Sequence, residues 1–364
     1  MTENSYICRL IANDPNWRET LQNKRINISY DRNFAIFNYS SKSDFSDPVV
    51  CEARGIIIDI NKIRVVCWPF KKFFNHGEQH AENIDWKSAR VEEKIDGSII
   101  KRWYDPYSET WKYSTNSVID AVNAPVGKSD KTFFDCITET DDFAIIQTIC
   151  RNKSLTYIFE LVHPDAQNII KYQEKRMYFT GLKDTHTGVE YMTRTVPFLV
   201  KPKIYPYMSL LECINEAHNM NKLGIYHEGF VVVDKDFNRI KVKSPEYIAL
   251  HCAYCNGNIA DRKIMEILLN NTVDIDEIKM IDTKMYDRTM YLYKKMQKVE
   301  QDVLLAGEEA KERFKQVNNN RKAFALMIKD SPYRSYMFRA IDGEEEIEKT
   351  LSLSDYERLM PVTD

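Results

Sequence analysis

Between Pro245 and Pro332 the chain has no proline, and between Gly257 and Gly307 it has no glycine. Proline removes a backbone donor and clashes with the preceding turn, so a long interval free of both breakers reads as packed helices. The pattern predicts helices over 261–270, 274–305 and 308–329, with a shorter one near 352–360. The sequence before this interval has the opposite texture. It carries ten prolines up to and including Pro245, and short β-branched and aromatic runs at 49–60, 62–70, 98–104, 156–162, 176–183, 229–234 and 239–244. Those runs predict strands of antiparallel or mixed sheets, with helical pieces near 111–124, 139–152 and 207–222. The fold class expected is therefore α+β. A domain over 1–250 is followed by an all-helical one over 251–364, and no Gly/Ser linker separates them.

Composition narrows the setting. With 364 residues and 43% hydrophobic content, the chain can close a sizeable core, and dominant disorder is excluded. The longest apolar stretches, such as GIIIDI at 55–60 and GFVVVD at 229–234, are far shorter than the roughly 20 residues of a membrane span, so no membrane partner is expected. The opening MTENSYICRL has neither a basic leader nor an apolar core of a signal peptide, which predicts a cytoplasmic protein. Eight dispersed cysteines fit a reducing compartment. Against 54 acidic residues, 51 basic ones leave a net charge of −3. A basic surface as a whole is excluded, although a compact positive groove is compatible with that total.

The segment VEEKIDGSII (91–100) carries the chemistry. Residues two apart in an extended stretch share a face, so Lys94 and Asp96 can point into one cleft while Gly97 permits a tight turn. A lysine amine becomes a nucleophile when nearby cations or desolvation lower its pKa. Taken alone, K-x-D-G also fits a surface hairpin with a Lys–Asp pair. Its companions change the balance. Glu160 interrupts the strand YIFELV, Glu228 precedes Gly229 and the strand FVVV, and Lys241 and Lys243 alternate in RIKVKS. Charges set in buried strands are costly unless they share a polar cleft. There, lysines can neutralise phosphates while carboxylates hold ribose hydroxyls or a divalent ion.

The ordered set KIDG (94–97), FE (159–160), EG (228–229) and KVK (241–243) resembles motifs I, III, IV and V of the covalent nucleotidyltransferases. With CEARGIIID (51–59) and PFKKFFNHGE (69–78), it is similar to the phage-type RNA ligase 1 family over roughly residues 30–250. The resemblance implies an ATP-grasp-like ligase adenylyltransferase core. It implies an ATP-dependent RNA ligase joining 5′-phosphate and 3′-hydroxyl ends through lysyl-AMP and RNA-adenylate intermediates, in RNA repair with tRNA among the candidate substrates. Lys94 would be the nucleophile. Lys241 and Lys243 would bind the α-phosphate and depress the Lys94 pKa, and Glu228 would complete the catalytic set. Arg54, Lys72, Asp96, Glu160 and Tyr247 would join these residues in binding ATP. Glu228 and Glu160 would hold Mg²⁺ or Mn²⁺, as hard oxygen donors do. Glu52 would orient Arg54. The helical domain would select the RNA. Oligomeric state stays open, with a monomer the simplest expectation.

Other readings stay beside these. Phe73 and Phe74 either wall the base or pack in the core, Tyr247 either lies near the nucleotide or packs, and Ser98 either meets phosphate or caps a turn. Relatives often carry a basic S-[KR]-G-[ST]-like element where this chain reads STNS at 114–117, so phosphate or RNA contact at Thr115 and Asn116 is expected either to be weaker or to pass to nearby Lys112. His251, Cys252 and Cys255 resemble only half a zinc site. His76 and His80 lack a paired acidic or cysteine ligand. A DNA-preferring ligase, a guanylyltransferase and an inactive RNA-binding protein of the same fold are the competing functions.

Overall fold

The computed structural model describes residues 4–127, 129–222, 227–255, 258–269 and 283–360. It divides into two compact units, Met1–Tyr247 and Ile248–Asp364. The first opens with helices Tyr6–Asn13 and Trp17–Asn23, followed by an antiparallel sheet of β1 (Ile26–Asp31), β2 (Phe34–Tyr39), β3 (Arg54–Asp59) and β4 (Arg64–Cys67) in that order. Side chains alternate across a strand, and here both faces are covered. Ala35, Phe37, Ile56 and Ile58 pack with Ile7, Cys8 and Leu21, whereas Phe34, Ile36 and Ile57 pack with Trp103 and Ile119. Two-sided burial accounts for the unbroken apolar run GIIID.

The chain continues through β5 (Phe74–Asn75), β6 (Arg90–Glu93), β7 (Ser98–Asp105), β8 (Thr110–Ser114), β9 (Leu155–Val162), β10 (Arg176–Asp184), β11 (Glu190–Tyr191), β12 (Ile204–Tyr205), β13 (Gly229–Val233) and β14 (Arg239–Lys243). They form two five-stranded sheets, ordered β11-β10-β9-β7-β8 and β12-β6-β13-β14-β5. All neighbours are antiparallel except β14 and β5. The antiparallel and mixed sheets expected from the strand-like runs are present.

Three local expectations give way. Residues 48–52 of the first predicted strand form a helical turn, started by Pro48 and by Asp47, whose carboxylate accepts from the Val49 N–H. The helix expected near 111–124 is strand β8 followed by a 3₁₀ turn at Ala121–Asn123, because TWKYS pairs along β7. The predicted break near residue 306 is absent, and one helix runs Thr283–Gln316 straight through Gly307. A single glycine weakens a helix by about 1 kcal/mol without ending it. The chain turns at Asn318 and Asn319, both left-handed (φ 52° and 58°), a conformation asparagine tolerates. Asn320 then caps Arg321–Met327.

The second unit also contains Asp261–Leu269, Arg334–Ile341 and Leu353–Leu359. The long helix buries Leu292, Met296, Val299 and Val303, a stripe spaced four, three and four residues apart. Among its described residues the unit is helical apart from turns and a two-residue pairing of Tyr254–Cys255 with Asn258–Ile259, which departs from the all-helical expectation. The expected helix start at 274 lies outside the described residues. Among those described, no helix is long and apolar enough to cross a membrane.

Glu52 does not orient Arg54. Its carboxylate is buried, accepts from the Ser5 hydroxyl (2.9 Å) and the Ile7 N–H (2.8 Å), and so holds the start of helix Tyr6–Asn13. Removing one side of a buried hydrogen-bonded pair costs about 1–3 kcal/mol. Glu52→Ala in the full chain should lower the free energy of unfolding from urea titration by that amount; an unchanged value would refute the role.

Candidate active site

The register of three neighbouring strands builds the site. β6 ends at Glu93, opposite Phe230 of β13, and the Lys94 N–H then donates to the Gly229 carbonyl at 2.9 Å. Gly229 in turn faces Lys243 of β14. Glu228 is therefore delivered between a lysine from each neighbour. Lys94 Nζ lies 2.6 Å from Glu228 Oε2, Lys243 Nζ lies 2.8 Å from Oε1, and the glutamate is 3% exposed. Gly229 has φ +133°, and a Cβ there would fall 2.1 Å from the Val242 carbonyl oxygen, so only glycine lets these strands close.

Along β14, Arg239, Lys241 and Lys243 alternate onto one face, and all three line a cleft of about 270 Å³ with Lys94, Glu160 and Arg54. Lys241 Nζ and the Arg54 guanidinium sit 4.9 and 5.2 Å from the centre of the same Phe73 ring. Burial pushes the Lys241 ammonium down to about 7, helped by Arg54, Lys94, Lys72 and Lys243. Lys94, by contrast, forms an ion pair with the Glu228 carboxylate. Arg54 Nη1 is buried with no hydrogen-bond partner, and so is Asn116 Oδ1 at the same cleft. Unmatched donors and acceptors at a cavity wall are what a polar ligand satisfies.

Glu160, on β9 opposite Ile99, is pushed up to about 7 by burial, with Glu228 and Asp96 adding to the rise and Lys94 and Arg54 opposing it. Gly97 makes this approach possible, since a Cβ would lie 2.3 Å from the Leu161 carbonyl and 3.0 Å from Glu160 Cγ. Asp96 is 3% exposed and already engaged. It accepts from the Tyr247 hydroxyl at 2.7 Å and from the Ile170 N–H at 2.8 Å. Asp96 and Tyr247 thus brace the wall behind Lys94.

Lys72 is not in this cleft. Its ammonium sits 4.5–5.1 Å from the rings of Phe45, Phe74 and Tyr39 and faces a neighbouring hollow, while Lys71 pairs with Glu82 at 2.5 Å. The two phenylalanines separate accordingly, Phe73 to the cleft and Phe74 to the hollow. Lys112 pairs with Asp120 at 2.6 Å and is not among the residues lining the cleft. His76 and His80 form no metal cluster with other residues among those described. The side chains of Cys252 and Cys255 lie outside the described ones.

Two cations escaped sequence reasoning. Arg239 lies over Phe70 at 4.4 Å and forks onto Glu190, and its spacing from Lys241 and Lys243 was the available signal. Lys101 is fully buried beneath β3, donates to the Gly55 carbonyl at 2.5 Å, and is pushed down to about 8 by burial. Nothing in IIKRWY distinguishes it. Away from the cleft, Cys136, His163 and Asp165 bring possible metal-ligand atoms within 4.8 Å of one another. There the Asp165 N–H donates to His163 Nδ1, His163 Nε2 faces Glu139, and Lys131 bridges Glu139 and Asp165.

Residues 52–247 match the RNA ligase family. The chain is 29% identical over 269 residues to a protein of Autographa californica nuclear polyhedrosis virus named "Putative bifunctional polynucleotide kinase/RNA ligase", covering 68% of this chain but 38% of that one. It is 24% identical to an RNA ligase of Rhodothermus phage RM378, covering 90% and 89%. An archaeal ATP-dependent RNA ligase structure aligns at a TM-score of 0.48 with 11% identity over 78% of each chain.

The cost of the cleft is measurable. Folded Lys241 loses its proton near pH 7, whereas an unfolded lysine does so near ~10.4. Between those values the unfolded chain binds more protons, so this residue's contribution to stability improves as pH rises. Lys241→Met should stabilise the ligand-free protein by roughly 1–2 kcal/mol at pH 7, with the gain shrinking toward pH 10. A destabilised variant in urea titrations at pH 7 would contradict this.

Proposed function

The chain belongs to the RNA ligase family, and from that premise we propose that it is an ATP-dependent RNA ligase using Lys94 as its nucleophile. One observation carries the assignment: Lys94, Lys241, Lys243, Glu228 and Glu160 converge, although the sequence spreads them over about 150 residues. In the proposed reaction Lys94 Nζ, having given up its proton, attacks the α-phosphorus of ATP. The bond to the β-phosphate oxygen breaks and pyrophosphate leaves. The AMP then passes to the 5′-phosphate of RNA, releasing the lysine. A 3′-hydroxyl finally attacks that phosphate, forming the phosphodiester and releasing AMP.

The side chains suit these steps. The Glu228 carboxylate orients Lys94 and is positioned to hold its displaced proton, a hydrogen-bonded arrangement expected of general-base chemistry. Lys243, Lys241 and Arg54 place positive charge where the phosphorus centre gains negative charge. Arg54 retains an unused buried donor for that purpose.

Mg²⁺ or Mn²⁺ would be held by Glu160 and Glu228 and would screen phosphate charge. The crowding of Glu160 by Glu228 and Asp96 suits a cation there. Both Glu228 oxygens carry lysines, so a metal at Glu228 would replace an ammonium. The RNA ends are a 5′-phosphate and a 3′-hydroxyl, with broken tRNA-like stem-loops the substrate class we assign to selection by the helical unit.

Incubation with α-labelled ATP and Mg²⁺ should yield a covalent protein adduct, and Lys94→Ala should abolish it. An adduct of undiminished yield in that variant would remove Lys94 from its role. Glu228→Ala should lower adduct formation by about 100-fold or more, within the range of general acid–base contributions. Turnover of RNA rather than DNA ends then separates the proposed activity from that of a DNA-preferring ligase.

A further inference from the structure

The hollow faced by Lys72 has a volume of about 420 Å³, larger than the nucleotide cleft. It is not isolated. A pocket of about 220 Å³ joins the two, sharing Phe70, Phe73 and Arg239 with the cleft and Lys71, Glu82, Lys183 and Gly188 with the hollow. The result is one trough running from Lys94 past Arg239 to Lys183 and Lys72.

The charges along it are unevenly matched. Several of its acidic groups are already engaged, Glu190 with Arg239, Glu82 with Lys71 and the Arg239 N–H, and Glu52 with Ser5 and Ile7, while Asp236 lines the joining pocket and Glu93 and Glu160 line the cleft end. Lys183 and Lys72 have no carboxylate partner within salt-bridge distance among the described residues, although both face the cavity. Lys183 rests 4.9 Å from the centre of the Trp68 indole, whose other contacts include the Gly188 backbone; a Cβ there would fall 2.6 Å from the ring. Burial depresses its pKa. Glu190 and Glu52 offset its charge only from beyond ion-pair distance, so an ammonium kept in such a place is costly unless an anion compensates it more closely. Tyr6 opens onto the same hollow with 44% of its surface exposed, and Phe45 is half-buried beside it. Cations at intervals with an exposed ring suit a single-stranded polynucleotide, whose phosphates follow the charges and whose bases stack.

We propose that this trough is the path of the RNA strand, with phosphates along Lys183 and Lys72 and a base against Tyr6 in the hollow. The inference rests on the RNA ligase reading and adds a binding track outside the nucleotide cleft. A nucleotide triphosphate carries the same phosphate chemistry, so the test separates the two sources.

The probe is a fluorescent, 5′-phosphorylated single-stranded RNA with a blocked 3′ end, titrated with the full chain across a salt series. Lys183→Met should weaken binding about threefold to tenfold. The slope of log affinity against log salt should become shallower by about 0.7, as expected for one lost phosphate contact on a single strand. Lys183→Arg should restore the slope. Tyr6→Ala should weaken binding at least about fivefold with the slope retained, because stacking releases no counterions. Unchanged RNA affinity and slope in Lys183→Met, with a wild-type urea midpoint, would overturn the proposal. So would a loss of labelled-ATP adduct as large as the loss of RNA affinity, which would assign the hollow to the triphosphate. Absence of an adduct in the wild-type protein would instead overturn the ligase reading itself.

Discussion

The antiparallel pairing of Gly229 with Lys243 governs the chemistry of the first unit. A strand register has a period of two, so a slip of one residue would turn Lys241 and Lys243 away from the cleft and strip Glu228 of one of its two lysines. Gly229 pins the register from the inside, because only a residue without a Cβ lies so close to the Val242 carbonyl. Glu228 pins it from the outside by binding one lysine on each flank. Removing either lysine would leave part of a buried carboxylate uncompensated, a larger penalty than the net value of the pair. The same contacts thus specify the strand alignment and assemble the reactive group.

Around that centre the protein accepts unfavourable electrostatics. Lys241 is drawn toward its neutral form and Glu160 toward its protonated form, both chiefly through desolvation. Neither shift helps an empty cleft. Each becomes useful when a polyanion and its accompanying cation enter, because their charges reverse the local imbalance. The support comes from neutral packing behind the site: the two-faced sheet of β1–β4 and the aromatic wall that includes Phe70 and Phe73.

Much of this arrangement was legible in the primary structure, for identifiable reasons. Charged residues interrupting apolar runs marked Lys94, Glu160, Glu228, Lys241 and Lys243, because buried strands rarely carry charge without a partner. Breaker spacing marked the helical region. What remained hidden depended on tertiary partners. The sequence of Lys72 beside Lys71 cannot say that three rings draw it into a second hollow. Glu52 next to Arg54 looked like an orienting group, yet its bonds go to a helix start 45 residues away. Lys101 has no periodic signal, since its burial follows from the sheet above it. The helix through Gly307 shows that absence of strong breakers elsewhere outweighs one weak breaker.

The depressed Lys241 has a further consequence for the chemical biology of the cleft. An acylating reagent selects amines by the fraction that is unprotonated as well as by access. At neutral pH much of Lys241 is a free amine, whereas Lys94 is held in an ion pair with Glu228. Mapping reactive lysines on the ligand-free protein would therefore highlight Lys241 and pass over the group proposed to form the adduct. In this cleft, the amine that burial draws toward its neutral form and the proposed nucleophile are different residues.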